Sequence, residues 1–228
     1  MEYKIIGASM QSLSINLSEG ESVYSDSGKL LNKSANVTMT PRLVGGVVGA
    51  IERKMTGATA MLTEFKSSGS GSMSVAGILP GKIKQISLGE GQQFIAEAYA
   101  FLACDPTVKF SMQTVGLGAA FWGGAGLVLQ RFTGPGDVFI HIVGDILEYD
   151  LDGTLDLDVD PGHIAGFDST MNYKIRFVDN IRTAMFGGVG LFLAKFSGSG
   201  RVILHSVSRH KLSTEIFLDG EEHVKNKK

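Results

Sequence analysis

WGGAGLVLQRFTGPGDVFIH, residues 122–141, occurs in three related copies and decides the fold. The other copies are MTGATAMLTEFKSSGSGSMSVA at residues 55–76 and FGGVGLFLAKFSGSGRVILH at residues 186–205. The second glycine of each Gly-x-Gly falls at Gly71, Gly136 and Gly200, which gives spacings of 65 and 64 residues. The chain is therefore one unit of about this length used three times. A unit that is repeated for packing reasons does not indicate any catalytic activity.

Each copy consists of two apolar runs of strand length separated by a short Gly-rich break. A phenylalanine precedes the break in every copy, and we interpret it as a core residue. Two such runs joined by glycines predict a β-hairpin. The residues that carry this repeat signature are predicted to be structural: Phe65, Gly69, Gly71, Phe132, Gly134, Gly136, Phe196, Gly198 and Gly200.

A second segment also recurs, at residues 14–31, 86–105 and more faintly 151–168. Leu17 corresponds to Leu88 at a spacing of 71, and Asp105 to Asp168. Each copy holds a polar turn between alternating strands, so each unit is predicted to contribute two hairpins. No capped stretch of helical period appears. The prediction is an all-β fold of antiparallel hairpins with pseudo-three-fold symmetry.

The predicted organisation is a single domain covering residues 1–228. Its units fall at about 10–80, 81–146 and 147–206, and three repeats are enough to bury their hydrophobic faces on one another. Residues 212–218 are predicted to add a last edge strand. The end of the chain, EEHVKNKK, is charged and is interpreted as a tail.

Composition excludes several classes of protein. The single cysteine, Cys104, rules out an internal disulfide and a cysteine-based zinc site. The net charge of -2, with both signs interspersed, argues against a nucleic-acid-binding domain. The first residues, MEYKIIGASM, lack the layout of a signal peptide, which favours a cytoplasmic protein. No cofactor is predicted.

Residues 110–130 form a run of 21 residues without a charge, long enough to span a bilayer as a helix. Five glycines in the run, and its recurrence as half of the repeated motif, argue against that interpretation. We therefore expect no integral membrane insertion.

The order of motifs along the chain resembles one known family. SINLSEGESVYSDSG (14–28), NVTMT (36–40), GAIERKMTG (49–57), LPGKI (79–83) and VDPGHIAGF (159–167) are similar to the altered-inheritance-of-mitochondria (mitochondrial biogenesis) family. Its prokaryotic members resemble the tryptophan-RNA-binding-attenuator protein in fold. The resemblance implies a β-sandwich or prism with internal three-fold pseudo-symmetry, and it implies no biochemical activity. This chain departs from the family by having Gly57-Ala58, Gly124-Ala125 and Gly188-Val189 where Gly-Glu is expected.

One stretch spells a catalytic motif. ILEYDLDGTL, residues 146–155, contains the Asp-x-Asp-Gly-Thr-Leu of haloacid-dehalogenase-type phosphohydrolases, in which Asp150 would attack phosphorus and Asp152 would handle a proton beside Mg²⁺. That chemistry needs a doubly wound α/β scaffold. Because the residues that follow show no βαβ rhythm, we interpret the motif as a turn.

Other candidate ligands have a plain structural interpretation beside the functional one. Asp156, Asp158 and Asp160 alternate along a predicted strand, which places three carboxylates on one face about 7 Å apart. Two of them could hold a hard cation, or the face could simply be solvated. His141 and His205 match in position, but the first repeat has Ala76 there, so a three-fold metal ring is excluded. Cys104 has no basic neighbour in sequence and is interpreted as a buried thiol.

These observations favour a non-enzymatic binding or assembly (scaffold) protein that forms a homo-oligomer, with its protein partner unidentified. Two alternatives remain. The first is RNA binding by analogy of fold, against which stand the single Trp, the five Tyr and the negative net charge. The second is a Mg²⁺-dependent phosphohydrolase built on the motif at residues 150–154.

Overall fold

A computed structural model describes residues 1–43, 61–115, 127–177, 192–209 and 211–216. Within these ranges almost all of the regular secondary structure is β-strand. The strands are β1 (Glu2–Ile6), β2 (Ser12–Leu17), β3 (Ser22–Asp26), β4 (Leu30–Lys33), β5 (Val37–Leu43), β6 (Met61–Ser67), β7 (Gly71–Ala76), β8 (Gly81–Leu88), β9 (Gln93–Glu97), β10 (Phe101–Cys104), β11 (Lys109–Val115), β12 (Leu127–Thr133), β13 (Gly136–Val143), β14 (Ile146–Asp152), β15 (Leu157–Val159), β16 (Ile164–Asp168), β17 (Asn172–Phe177), β18 (Phe192–Ser197) and β19 (Ser199–His205).

The strands form four sheets, in which every pair is antiparallel. Sheet A has the order β1-β2-β7-β4, and sheet B has the order β5-β6-β3-β10-β13-β8. Sheet C has the order β11-β12-β9-β16-β19-β14, and sheet D has the order β15-β18-β17. The prediction of an all-β fold of antiparallel sheets is confirmed.

The same strand order recurs along the chain. β2-β7-β4, β8-β13-β10 and β14-β19-β16 are three-stranded groups of the same relative order, and so are β5-β6-β3, β11-β12-β9 and β17-β18-β15. Each predicted unit thus contributes one group of each kind. Two points stay predictions. They are the superposition of the units by a three-fold rotation and the unit boundaries at 10–80, 81–146 and 147–206.

The predicted hairpin between the two runs of the repeated motif is not formed. β6 lies in sheet B and β7 in sheet A, and the pairs β12/β13 and β18/β19 are divided between sheets in the same way. The reason is that each run pairs with strands on both of its sides, so the Gly-rich break must carry the chain from one sheet to another. Gly136 and Gly200 have φ values of 135° and 150°, in the region that favours glycine. The polar turns between β2 and β3, β8 and β9, and β14 and β15 also cross between sheets.

Two junctions join the units edge to edge. β3 of the first unit pairs with β10 of the second, and β9 of the second unit pairs with β16 of the third. Beside each junction the ladder shifts register by one residue, between Phe101 and Ala103 in β10 and between Ile164 and Gly166 in β16. β4 has the same shift between Leu30 and Asn32. β4 is therefore built like the two strands that make the junctions.

The interior consists of three hydrophobic clusters, named here the first, second and third core. Each contains one phenylalanine of the repeated motif, and these three side chains are fully buried: Phe65 in the first core, Phe132 in the second and Phe196 in the third. The first core also takes Ile83, Leu102, Ala103 and Phe139 from the second unit. The second core takes Ala165 and Ile203 from the third unit.

The region after β19 differs from the sequence prediction. Residues 211–216 are helical, not the predicted edge strand. The helix is preceded by buried Ser208, whose main-chain oxygen accepts a bond of 3.0 Å from the Leu212 amide. The glycines expected to open the repeated motif, and the Gly-Ala and Gly-Val departures from the family pattern, lie outside the described residues.

Candidate functional site

Each unit has one tight corner, and the three corners join β3 to β4, β9 to β10 and β15 to β16. Asp26 and Asp160 each accept a bond of 2.9 Å from the amide two residues later, and a 3-10 turn follows. Glu97 holds the equivalent place in the second unit. Three residues beyond these acids the units differ, because the first has Lys29, the second Ala100 and the third His163. The three corners thus share an acidic residue but differ in the side chain three residues later.

Lys29 is a buried cation that ties the first corner to the second. Its side chain is 8% exposed, and Nζ donates to the carbonyl oxygens of Tyr99, at 2.7 Å, and of Phe101. Burial lowers the pKa of Lys29 to about 8, while the carboxylates of Asp26 and Glu97 oppose that shift. Since the ammonium group makes both bonds across a unit boundary, Lys29 fastens two units together.

Glu97 supplies the opposite charge at the second corner. Burial raises the pKa of its carboxyl group to about 7, against the pull of Arg209 and Lys29. Its Oε2 has no hydrogen-bond partner within the described residues. The Arg209 guanidinium lies over the neighbouring Tyr99 ring, 4.0 Å from its centroid, in a cation–π contact.

Two buried histidines lie near these charges. His205 Nδ1 accepts a bond of 3.0 Å from the Val143 amide, which leaves the proton on Nε2, and Nε2 has no partner in the described part of the chain. Burial lowers the pKa of His205 to about 3. Burial, reinforced by the Lys29 charge, lowers the pKa of His141 to about 4. Its ring packs so closely on Gly77 that a Cβ there would lie 2.2 Å from it. Both rings are therefore neutral at pH 7, as structural histidines usually are.

Lys29, Glu97 and Arg209 were not predicted from the sequence as site residues. They are distant in sequence and come together because the first two corners meet and Arg209, which follows β19, lies over Tyr99. The sequence carries one signal for Glu97, because the acid at positions 26, 97 and 160 keeps the repeat spacing. This corner cluster of Lys29, Glu97, Arg209, His141 and His205 combines opposite charges with neutral imidazoles. The bonds of Lys29 and the contact of Arg209 with Tyr99 join different units.

The three aspartates proposed as a cation-binding face are each paired with a basic side chain. Asp156 lies 2.7 Å from Lys195 Nζ, Asp158 lies 2.8 Å from an Arg176 nitrogen, and Asp160 lies 2.8 Å from Lys211 Nζ. The carboxylates are thus already neutralised by local cations. Among the described residues, no group of three or more His, Cys, Asp or Glu side chains is placed to hold a metal ion.

Cys104 lies in the second core and is fully buried. Burial, together with the neighbouring Asp105 charge, raises the pKa of its thiol. The thiolate is therefore disfavoured, which is the opposite of what a nucleophile requires.

The phosphohydrolase-like motif lies at the end of β14. Asp152 Oδ1 accepts bonds from the Thr154 amide, at 2.9 Å, and from the Thr154 hydroxyl, at 2.7 Å, which closes a turn. Asp150 stands in the ladder opposite Arg201 of β19. The strands around the motif belong to sheet C, in which every pair is antiparallel.

We expect no Mg²⁺-dependent phosphatase activity, because Asp152 is engaged in its own turn and the motif lies in an antiparallel sheet. The measurement is phosphate release from a generic phosphoester with and without Mg²⁺. Turnover by the wild-type protein that disappears in Asp150→Asn would contradict this prediction.

A third junction, between the first and third units, is not formed within the described chain. By the pattern of the other two junctions it would pair β4 with β15, yet these are end strands of sheets A and D. Leu31 of β4 is 59% exposed, whereas its counterparts Leu102 and Ala165 are fully buried in the core of the preceding unit. The third core has no member from residues 1–80 among those described. We call the edges of β4 and β15 the open junction.

Two serines of sheet A, Ser12 and Ser74, agree with a junction that is open between the first and third units. Ile83 and Phe139 of the second unit enter the first core, and at the matching positions of the first unit stand Ser12 and Ser74. The matching residues of the third unit, Ile146 and Ile203, contact the second core. The first unit thus lacks two of the apolar side chains with which the other units cover their neighbours.

No helix among the described residues is long and apolar enough to cross a membrane. The parts of the uncharged run 110–130 that the structure describes belong to β11 and β12.

Comparison with known proteins places this architecture. An uncharacterised protein of Streptococcus pyogenes serotype M6 is 30% identical over 202 residues, which cover 85% of this chain and 80% of that protein. A crystal structure of a Streptococcus pyogenes protein superposes with a TM-score of 0.78 at 26% identity, covering 94% of this chain and 97% of that one. The sequence profile of the mitochondrial biogenesis AIM24 family matches residues 3–207. The chain therefore belongs to the mitochondrial biogenesis AIM24 family.

Proposed function

We propose that the protein is a non-enzymatic assembly module that self-associates through unpaired sheet edges. The observation that carries the proposal is the open junction. β4 has the bulge and the position of a junction strand, but its outer edge has no partner strand in the described chain. Edge strands present unpaired amide and carbonyl groups, and proteins commonly satisfy such groups with another chain.

The side chain at this edge supports the same function. Leu31 is a large apolar residue that is 59% exposed at a place where both other units bury their residue completely. Burying a leucine side chain contributes about 1.5–3 kcal/mol, so covering this edge is favourable. The buried ammonium group of Lys29, in contrast, makes bonds that hold two units of one chain together.

The experiment is sedimentation at micromolar concentration of the wild-type protein and of Leu31→Lys. We expect the wild-type protein to associate, and Leu31→Lys to raise the dissociation constant about tenfold or more, because an edge lysine opposes strand addition. Leu155→Lys is the matched control, since Leu155 is 76% exposed but lies outside the strands.

A strictly monomeric wild-type protein would remove the grounds for the proposal. Equal association by Leu31→Lys and the wild-type protein would place the interface elsewhere. Added single-stranded RNA is expected to leave the sedimentation unchanged, and a salt-dependent shift with RNA would instead favour the RNA-binding alternative.

A further inference from the structure

We propose that the open junction is completed by a second copy of this chain, with β4 of one copy pairing antiparallel with β15 of the next and Lys33 standing opposite Asp158. This inference rests on the proposed function and names its partner and register. Its basis is the internal repetition of strand pairing, because the chain contains two completed examples of the same contact.

The register follows from those two examples. In the first junction Ala103 of β10 is opposite Ser25 of β3, and in the second Gly166 of β16 is opposite Ala96 of β9. Ala103 lies 71 residues after Asn32 of β4, and Val159 of β15 lies 63 residues after Ala96, so the corresponding pair in the open junction is Asn32 with Val159. The next pair along the ladder is Cys104 with Tyr24 in the first junction and Phe167 with Ile95 in the second. Its counterpart in the open junction is Lys33 with Asp158.

Charge distinguishes this pair from its internal counterparts. Both internal pairs at this position are uncharged, whereas the open junction offers a cation on one edge and an anion on the other. Opposite charges that face each other across an antiparallel ladder stabilise it, and like charges destabilise it. Asp158 already contacts Arg176 at 2.8 Å, so Lys33 would join an existing ion pair. The two edges of one molecule are therefore complementary to each other.

Joining the edges reproduces the sheets already present. Sheet D of one copy and sheet A of the next would give the order β17-β18-β15-β4-β7-β2, the relative order found in sheets B and C, with β1 added beyond β2. Leu31 would then enter the third core of the neighbouring copy, as Leu102 enters the first core and Ala165 the second.

The contact uses two different surfaces of each copy, so it is heterologous. Such contacts close into a ring or continue as a filament. The serines at positions 12 and 74 make this junction less apolar than the two internal ones. We therefore expect it to form reversibly while the internal junctions persist.

Disulfide trapping tests the register. Lys33→Cys and Asp158→Cys are made as separate variants and mixed under mild oxidation. Opposite residues of an antiparallel ladder have Cα atoms about 4.5–5.5 Å apart, within reach of a disulfide. We expect a bond between the two chains. The wild-type protein, whose Cys104 is buried, and a mixture of Lys33→Cys with Leu155→Cys are expected to give none. If the double variant Lys33→Cys/Asp158→Cys instead closes a disulfide within one chain, the proposal is wrong.

Charge reversal tests the partner. Lys33→Glu and Asp158→Lys each place like charges in the contact, and each alone is expected to associate about tenfold more weakly than the wild-type protein. In a mixture, the new glutamate at position 33 of one variant faces the new lysine at position 158 of the other. The unchanged Lys33 and Asp158 also face each other, so association is expected to return. Wild-type melting temperatures for both variants confirm that they fold.

The outcomes separate the two proposals. If the wild-type protein associates but neither trapping nor restored association is seen, the proposed register and partner are wrong and the assembly function stands. If the wild-type protein is monomeric at every concentration tested, both proposals are wrong.

Discussion

Replacing Phe132 with alanine is expected to lower the free energy of unfolding by about 3–5 kcal/mol. The side chain is fully buried at the centre of the second core. It stands opposite Phe94 of β9 and Phe110 of β11, and its ring stacks on Phe101 at a centroid distance of 5.4 Å. Removing the ring therefore deletes contacts to three aromatic neighbours and leaves a cavity that the rigid sheets cannot close.

Chemical denaturation of the wild-type protein and the variant measures this loss. Phe177→Ala is the matched control, because Phe177 is 67% exposed and has only the Phe192 ring, 4.5 Å away, as an aromatic contact in the described chain. The control is expected to lose less than about 1 kcal/mol. A loss of the same size for Phe132→Ala and Phe177→Ala would mean that the second core does not hold the sheets together.

Acidification from pH 7 to pH 5 is expected to remove about 4 kcal/mol of stability through His141 and His205 together. Their pKa values in the folded protein, about 4 and about 3, lie below the value of about 6.5 of an unfolded chain. The unfolded state therefore binds protons first as the pH falls. Their stabilising contribution is present above pH 6.5 and is lost below it.

Glu97 acts in the opposite direction. Its pKa of about 7 lies above the ordinary value of 4.5, so the folded state takes up a proton first as the pH falls from 7. Protonation relieves the cost of the buried charge and returns about 2 kcal/mol by pH 5. The wild-type protein is thus expected to show the difference between these opposing effects.

Variants separate the two contributions. His205→Asn, which retains an acceptor for the Val143 amide, is expected to reduce the acid loss by about 2 kcal/mol. Glu97→Gln is expected to increase it by a similar amount. The measurement is the free energy of unfolding at pH 5, 6 and 7. If both variants change the acid dependence in the same direction, the assignment of these groups is wrong.

The alternation of apolar residues was enough to predict an all-β chain, because strands buried on one face show it directly. It did not predict which strands pair. The run that ends at Phe132 and the run that begins at Gly136 look like the halves of a hairpin, yet they lie in sheets C and B. Alternation specifies which face of a strand is buried, whereas strand partners depend on contacts between distant parts of the chain.

The corner cluster was missed for a related reason. Lys29 and Glu97 look like solvated charges in the sequence, and only the meeting of two units buries the Lys29 side chain and the Glu97 Oε2 atom. The open junction, in contrast, could have been predicted from the sequence. Ser12 and Ser74 occupy positions where the second unit has Ile83 and Phe139, so the polar face of sheet A is already visible from aligned repeats.

Those two serines have a consequence for how such a molecule can change. In an assembly of three identical separate subunits, one substitution alters all three contacts at once. Here the units are fused, so substitutions at positions 12 and 74 would act only on the proposed contact between copies, while Ile83 and Phe139 stay in the first core. In the proposed assembly, sequence change at two positions would therefore alter the contact between copies separately from the two junctions within the chain.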